Sequence, residues 1–336
     1  MGNISIVISV APAIGPTVSG VVLDMFSWRA MFWVVLPISV ATLVLGLRWV
    51  TRIGETSDAP MDILSVVLSV FGFGGLVYGL SSIGHSGSGS SATLWASLAV
   101  GVLGITAFVL RQVQLQRSER ALLDLRTFAF RTFTLASALM MVMMGLLLGV
   151  VTILPIYTQN VLALDPLATG LLLLPGGLLM GLLSPFVGRL YDRVGPRVLL
   201  IVGTVATSGS LWFATTFDAD TPTPLVLVFH LVLSLGLAFS FTPLFSSGLG
   251  ALPARLYSHG SAIFSTTQQL AAAAGVALLV SVMSARAAEL ATAGEARVGA
   301  EMGGMHSAIV LAAILSLVAV AGSFMVKAGK AEDAPH

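Results

Sequence analysis

The chain contains no cysteine among its 336 residues. That excludes a disulfide framework, thiol chemistry and any cysteine metal site. Charge is nearly as scarce. Asp, Glu, Lys and Arg together make up 9% of the residues, where a soluble domain carries about a quarter. Lysine occurs only at Lys327 and Lys330, and the formal net charge is +1. There is no HExxH, no GxSxG and no P-loop, so zinc hydrolysis, serine hydrolysis and ATP-driven transport lack their motifs. His85, His259 and His306 are scattered near loops, which argues against a metal site, and no cofactor is expected. Residues 1–10 carry no basic n-region and no cleavage site, so no removable signal peptide is expected.

What is present is apolar. Hydrophobic residues make up 56% of the chain and the mean hydropathy is +0.98. The composition excludes a nucleic-acid binder and identifies an all-α integral membrane protein whose first partner is the lipid bilayer. A span needs about 20 apolar residues, and a helix satisfies its own backbone groups in lipid. Ten spans are expected, at 3–24, 30–49, 62–83, 92–111, 132–157, 167–188, 198–216, 223–247, 260–284 and 306–326. The run 63–110 has no Asp, Glu, Lys or Arg, and "GHSGSGSS" at 84–91 divides it. No Asp, Glu, Lys or Arg lies deep in any span. Asp24 and Asp62 stand at ends, and His230 is the internal ionisable side chain. Arginine and lysine in short loops favour the cytoplasm. With the first helix running outward, thirteen fall inside, from Arg48 and Arg52 to Lys327 and Lys330, against Arg29, Arg286 and Arg297 outside. Both termini are therefore expected in the cytoplasm, with the protein in the cell's inner (plasma) membrane.

Several stretches carry candidate function. In "APAIGPTVSG" (11–20), Ala11, Gly15 and Ser19 recur at steps of four, with Pro12 and Pro16 between them. Small residues let helices approach closely in lipid, and Gly177, Gly181 and Pro185 offer a matching face on the sixth span. The loop "GRLYDRVGPRVLL" (188–200) is basic and tight. Asp192 placed among Arg189, Arg193 and Arg197 suits a charged latch, although the arginines also satisfy the positive-inside bias. Tyr157, Gln159, Phe241, Thr242, Gln268 and Gln269 are polar or aromatic groups fit to face a midline cavity, and interhelical hydrogen bonding serves each equally well. "MMVMM" at 140–144 offers either a deformable lining or plain packing.

Three of these stretches resemble the fourteen-helix drug/proton antiporters of the major facilitator superfamily (the EmrB/QacA type). The opening helix is similar to the antiporter motif G-x-x-x-G-P-x-x-G-G. Gly15, Pro16 and Gly20 match, and Ala11 and Ser19 stand where the family has glycine. "SWRAMFWVVLPI" (27–38) continues that likeness. In the loop, Gly188, Leu190, Asp192, Arg193, Gly195 and Arg197 match the signature G-x-L-x-D-R-x-G-R-[KR], while Pro196 departs from it. "LPIYTQNVLALDPLATGLLLLPGG" (154–177) resembles the start of the family's C-terminal bundle.

The resemblance implies a partial major facilitator fold truncated at its N-terminus, beginning at helix five of fourteen. Residues 1–49 would be the last two helices of the N-terminal bundle. Residues 50–131 would hold two extra transmembrane helices and an amphipathic cytoplasmic connector, with Val113, Leu115, Leu122, Leu123 and Leu125 along the membrane. Residues 132–326 would form a complete six-helix C-terminal bundle, and 327–336 a cytoplasmic tail. The expected function is proton-coupled efflux of a small-molecule amphipathic substrate, with no enzymatic chemistry. The alternative is a non-transporting remnant, or a half-carrier subunit needing a separate N-terminal half.

Overall fold

The computed structural model describes residues 18, 22, 25, 26, 28–49, 62–83, 91–116, 118 and 121–326. Regular structure among them is entirely helical. The long helices are α1 (Trp28–Trp49), α2 (Ile63–Ile83), α3 (Ser91–Gln116), α4 (Arg131–Asn160), α5 (Pro166–Val194), α6 (Pro196–Ala214), α7 (Thr223–Gly250), α8 (Tyr257–Thr292) and α9 (Arg297–Ser323). All nine are long and apolar enough to cross a membrane. The tenth expected span, 3–24, lies outside the described residues except for Val18 and Val22, which are helical. Ala11, Gly15, Pro16, Ser19 and Gly20 lie outside them altogether.

Local chemistry sets the helix ends. Asp165 caps α5 by accepting the Ala168 N–H at 2.6 Å, and Pro166 takes the first helical position, where its missing N–H costs nothing. The last two helices run further than hydropathy places them. Instead of 260–284 and 306–326, they extend to Thr292 and back to Arg297. Charged residues there sit on helical surface as local pairs: Arg286 with Glu289 at 2.7 Å and Arg297 with Glu301 at 2.8 Å. Such pairs support a helix end, while a hydropathy reading treats them as loop. At 36 residues, α8 is roughly 54 Å long and projects beyond the hydrocarbon layer.

Helices α4 to α9 share one core. Helix α4 runs through its middle against α7, α8 and α9. Its buried residues Phe133, Ala136, Met140, Met143, Leu147, Val150, Leu154 and Tyr157 recur at steps of three and four, which winds one stripe around the helix. Met140 and Met143 from the methionine run belong to this core. Helix α7 joins α5, α6 and α4, and α9 joins α8, α6 and α4. Buried Ser316 of α9 donates to Ser208 of α6 at 2.8 Å.

Close crossings are built on glycine. A Cβ on Gly275 of α8 would lie 2.5 Å from the Gly145 Cα of α4. One on Gly236 of α7 would lie 2.6 Å from the Thr207 nitrogen of α6, and one on Gly101 of α3 would lie 2.5 Å from the Leu76 nitrogen of α2. In lipid, where hiding apolar surface gains nothing, such backbone approach is what associates helices. Helices α2 and α3 pack as a pair, and α2 docks this pair on α8. No residue of α1 is buried.

The alternating helices gather Arg111, Arg126, Arg131, Arg189, Arg193, Arg197 and Arg255 at one end of the molecule. This is called the basic end below.

Candidate functional site

The loop signature forms a one-residue joint at the basic end. Helix α5 ends at Val194 and α6 begins at Pro196. Gly195 between them has φ 77° and ψ 173°, a region essentially reserved for glycine. Pro196 is buried. Arg189, Asp192, Arg193 and Arg197 are exposed and Gly188 is half-buried. Among the described residues Asp192 makes no ion pair with the three arginines, although the joint brings them to the same end of the molecule.

At mid-depth, α5 and α7 cross where His230 fills the space beside Gly176. A Cβ on that glycine would lie 2.5 Å from Nε2 of His230. The ring is buried at 6% exposure, and its Nε2 is hydrogen-bonded to the Leu173 carbonyl at 3.0 Å. His230 is thus committed to packing at this crossing. Gly177 and Gly181, the expected partners of the opening motif, are also buried.

The six cavity candidates do not converge on one space. Tyr157 is buried and its hydroxyl donates to the Asp218 carbonyl at 2.7 Å. Its ring stacks on Phe217 at 6.3 Å, and Phe217 meets Phe229 edge-on at 5.6 Å. Tyr157 therefore ties α4 to the loop between α6 and α7. It also borders a cleft of about 190 Å³ with Met283, Glu301 and Met305 at the end opposite the basic one. Gln159 is exposed near that end. Phe241 is half-buried against the core, and Thr242 and Gln268 are half-buried. Gln269 is exposed and lines a separate groove of about 400 Å³ between α2 and α8, with Ser69, Phe73 and Thr266.

The most completely bonded polar assembly was not visible in the sequence. At the basic end, Arg111 of α3 grips Asp62 through both carboxylate oxygens, at 3.0 and 3.1 Å. The Ser65 hydroxyl donates to Asp62 at 2.6 Å. Gln112, fully buried, donates to Ser65 at 2.7 Å and accepts the Leu123 backbone N–H at 3.0 Å. The neighbouring Asp124 N–H donates to Nδ1 of His259 on α8 at 3.3 Å. A clamp thus runs from α2 through α3 and the connector to α8. Hydrogen bonds from Arg111 and then Ser65 hold the Asp62 carboxyl at about 2, below its ordinary 3.8.

Asp124 caps the short turn Leu125–Ala129 and receives Arg126 on both oxygens, at 2.5 to 3.0 Å. Burial pushes the Asp124 carboxyl up, but the Arg126 side-chain and backbone hydrogen bonds outweigh it and the carboxyl is lowered. The connector does not lie as one amphipathic helix along the membrane. Residues 112–116 continue α3, and Leu123 and Leu125 turn inward onto the core. Val113 and Leu122 face outward, and Leu115 is half-buried. Phe128 and Phe264 close on Phe133 at 5.6 and 5.2 Å.

Nine apolar helices, glycine crossings and a one-residue basic joint are features of a membrane carrier. The family profile described as "Major Facilitator Superfamily" matches residues 1–276. The chain belongs to this superfamily. "Uncharacterized MFS-type transporter YcnB" of Bacillus subtilis (strain 168) is 42% identical to the superfamily chain over 328 residues, covering 97% of it and 68% of the relative. "Lincomycin resistance protein LmrB" of Listeria monocytogenes serovar 1/2a is 38% identical over 335 residues, covering 98% and 70%. "Multidrug efflux pump LfrA" of Mycolicibacterium smegmatis is 30% identical over 273 residues, covering 81% and 53%. The superfamily chain is a multi-pass membrane transporter protein whose relatives include drug-resistance and efflux proteins.

Proposed function

We propose that this chain is part of a secondary carrier of the fourteen-helix branch, exporting amphipathic drugs in exchange for protons across the plasma membrane. The likeness to a lincomycin resistance protein along 98% of the chain carries this reading. The aligned part is 70% of that relative. The basic end faces the cytoplasm, because arginine collects there, and both termini lie on that side. Helices α4 to α9 act as one bundle of the rocking pair. The opening motif, with Ala11, Gly15, Pro16, Ser19 and Gly20, seals against the Gly177 and Gly181 face. Arg189, Asp192, Arg193 and Arg197 latch the cytoplasmic gate when their charges close on one another. Gln268 of α8 and Phe241 of α7 contact substrate.

The test is accumulation of lincomycin or ethidium in cells stripped of their own pumps. Carriage predicts lower accumulation with the chain expressed, abolished by a protonophore. Unchanged accumulation with the chain alone, restored to efflux by a co-expressed N-terminal half of a relative, favours the half-carrier reading. That no residue of the apolar helix α1 is buried against the other described residues supports that second reading. No efflux in either arrangement would sink both.

A further inference from the structure

A second polar space lies at the basic end, outside the parts assigned above to transport. It is a cavity of about 280 Å³ lined by Gln116, Ala121, Asp124, Arg126, Arg255, Leu256 and His259. Three elements build it: the end of α3, the connector, and the entry to α8.

Its chemistry is one-sided. Among the described residues the single lining carboxylate is Asp124, and Arg126 neutralises it. Three other groups present donors. The Gln116 Nε2 is buried with no hydrogen-bond partner among the described residues. Arg255 is exposed and makes no ion pair among the described residues. His259 accepts the Asp124 N–H on Nδ1, so the proton of the neutral ring sits on Nε2 and that nitrogen is a donor. A buried amide nitrogen without an acceptor is costly. Beside it stand a guanidinium and an imidazole N–H for which the described residues provide no acceptor. What completes such a set is an anion with several acceptor oxygens, and arginine matches phosphate best. The first turn of α8 adds to the same polarity, since Leu256 gives it no side-chain cap.

The position selects the source. The cavity sits where α3 ends and α8 begins, at the lipid–water boundary of the basic end. Basic pockets between helices at this depth are suited to the head groups of anionic lipids. We infer that this cavity binds a phosphate group through Arg255, His259 and Gln116, supplied by an anionic phospholipid of the adjoining leaflet. The bound phosphate would bridge the connector to α8 and tighten the clamp that docks α2 and α3. This rests on the chain spanning a bilayer and not on what it exports.

The test uses the full chain, purified in neutral detergent and stripped of lipid. It is titrated with mixed micelles containing phosphatidylglycerol or phosphatidylcholine, and separately with inorganic phosphate. Thermal unfolding and retained lipid by native mass spectrometry are the readouts, neither of which requires transport. Phosphatidylglycerol is expected to raise the unfolding midpoint saturably, and phosphatidylcholine to leave it unchanged. Arg255→Gln should weaken that response roughly tenfold, the scale of one charge-assisted contact. It should unfold normally without lipid, because Arg255 is exposed. Gln116→Leu should weaken the response as well. Arg131→Gln removes the same charge at the same end, from an exposed residue outside the cavity, and should keep the full response. A saturable response to inorganic phosphate that Arg255→Gln abolishes would uphold the site and replace the lipid with a soluble phosphate. No saturable response to either anion, or equal losses in Arg131→Gln and Arg255→Gln, would overturn the site.

Discussion

Consider Gly275→Ala, a change that adds one methyl group to α8. Its Cβ would stand 2.5 Å from the Gly145 Cα and 2.6 Å from its carbonyl carbon, and nearer still to the carbonyl oxygen. Carbon atoms in contact prefer about 3.5–4.0 Å, so the shortfall is about 1 Å. Every atom it meets is backbone, so no side chain can swing aside and α8 must move away from α4. A gap of that size forfeits a quarter to a half of the attraction at each contact along the crossing. Overpacking of a tight core costs about 1–3 kcal/mol, and a clash without a flexible partner belongs at the upper end. Alanine returns up to about 1 kcal/mol through its better helix propensity. The net expected loss is therefore about 2 kcal/mol.

The reciprocal change is the control. A Cβ on Gly145 meets the Ala271 oxygen at 3.2 Å and the Gly275 Cα at 3.6 Å, a contact needing only slight adjustment. Gly145→Ala should lie within about 0.5 kcal/mol of the parent, as for a substitution outside the severe mechanisms. Thermal unfolding of both variants in one detergent reads the difference. If Gly275→Ala proves as stable as Gly145→Ala, the close crossing of α4 and α8 does not govern the bundle.

Three further outcomes are expected. Gly195→Ala should cost about 1–3 kcal/mol although a Cβ there meets nothing within 4 Å, because the penalty is wholly in the backbone angles. Gly195→Asn should fail equally, and recovery by asparagine in a stability assay would refute that. Gln112→Leu should cost about 1–3 kcal/mol by stranding the Leu123 N–H, and hydrogen exchange at that amide should quicken; unchanged exchange would mean that the clamp is not formed. The Asp62 carboxyl is depressed in the fold, so its contribution is complete above its ordinary 3.8 and vanishes as pH falls through about 2. The stability gap between the parent and Asp62→Asn should therefore close across that interval, and a gap that stays constant down to pH about 2 would exclude the Arg111 pairing.

The helices were legible because lipid imposes a single condition, a charge-free run of sufficient length, and residues 63–110 meet it twice over. The prolines at 37, 155, 175, 185 and 243 all fall inside helices. Helix ends were less legible. Arg297 and Glu301 look like loop residues to a hydropathy scale, yet their spacing of four is a helical pairing. A tight turn was readable from Gly195 and Pro196, but the spans expected to end at 188 and resume at 198 run on to Val194 and restart at Pro196. The clamp was hidden for a different reason: Arg111 and Asp62 lie 49 residues apart, and nothing local says that Gln112 must serve Ser65 and Leu123 together. Tyr157 shows the opposite difficulty. Its residue type suits a ligand as well as a strut, and only its distance to Asp218 assigns it to the wall.

The joint at Gly195 has a mechanical meaning. Two long rods meet there with no spare chain between them, and the proline that opens the second rod is itself buried. A tilt of α5 has no slack in which to dissipate and is handed to α6 at once. Labels placed on Arg193 and Arg197 would therefore swing together, as the two arms of one elbow, whenever the bundle leans.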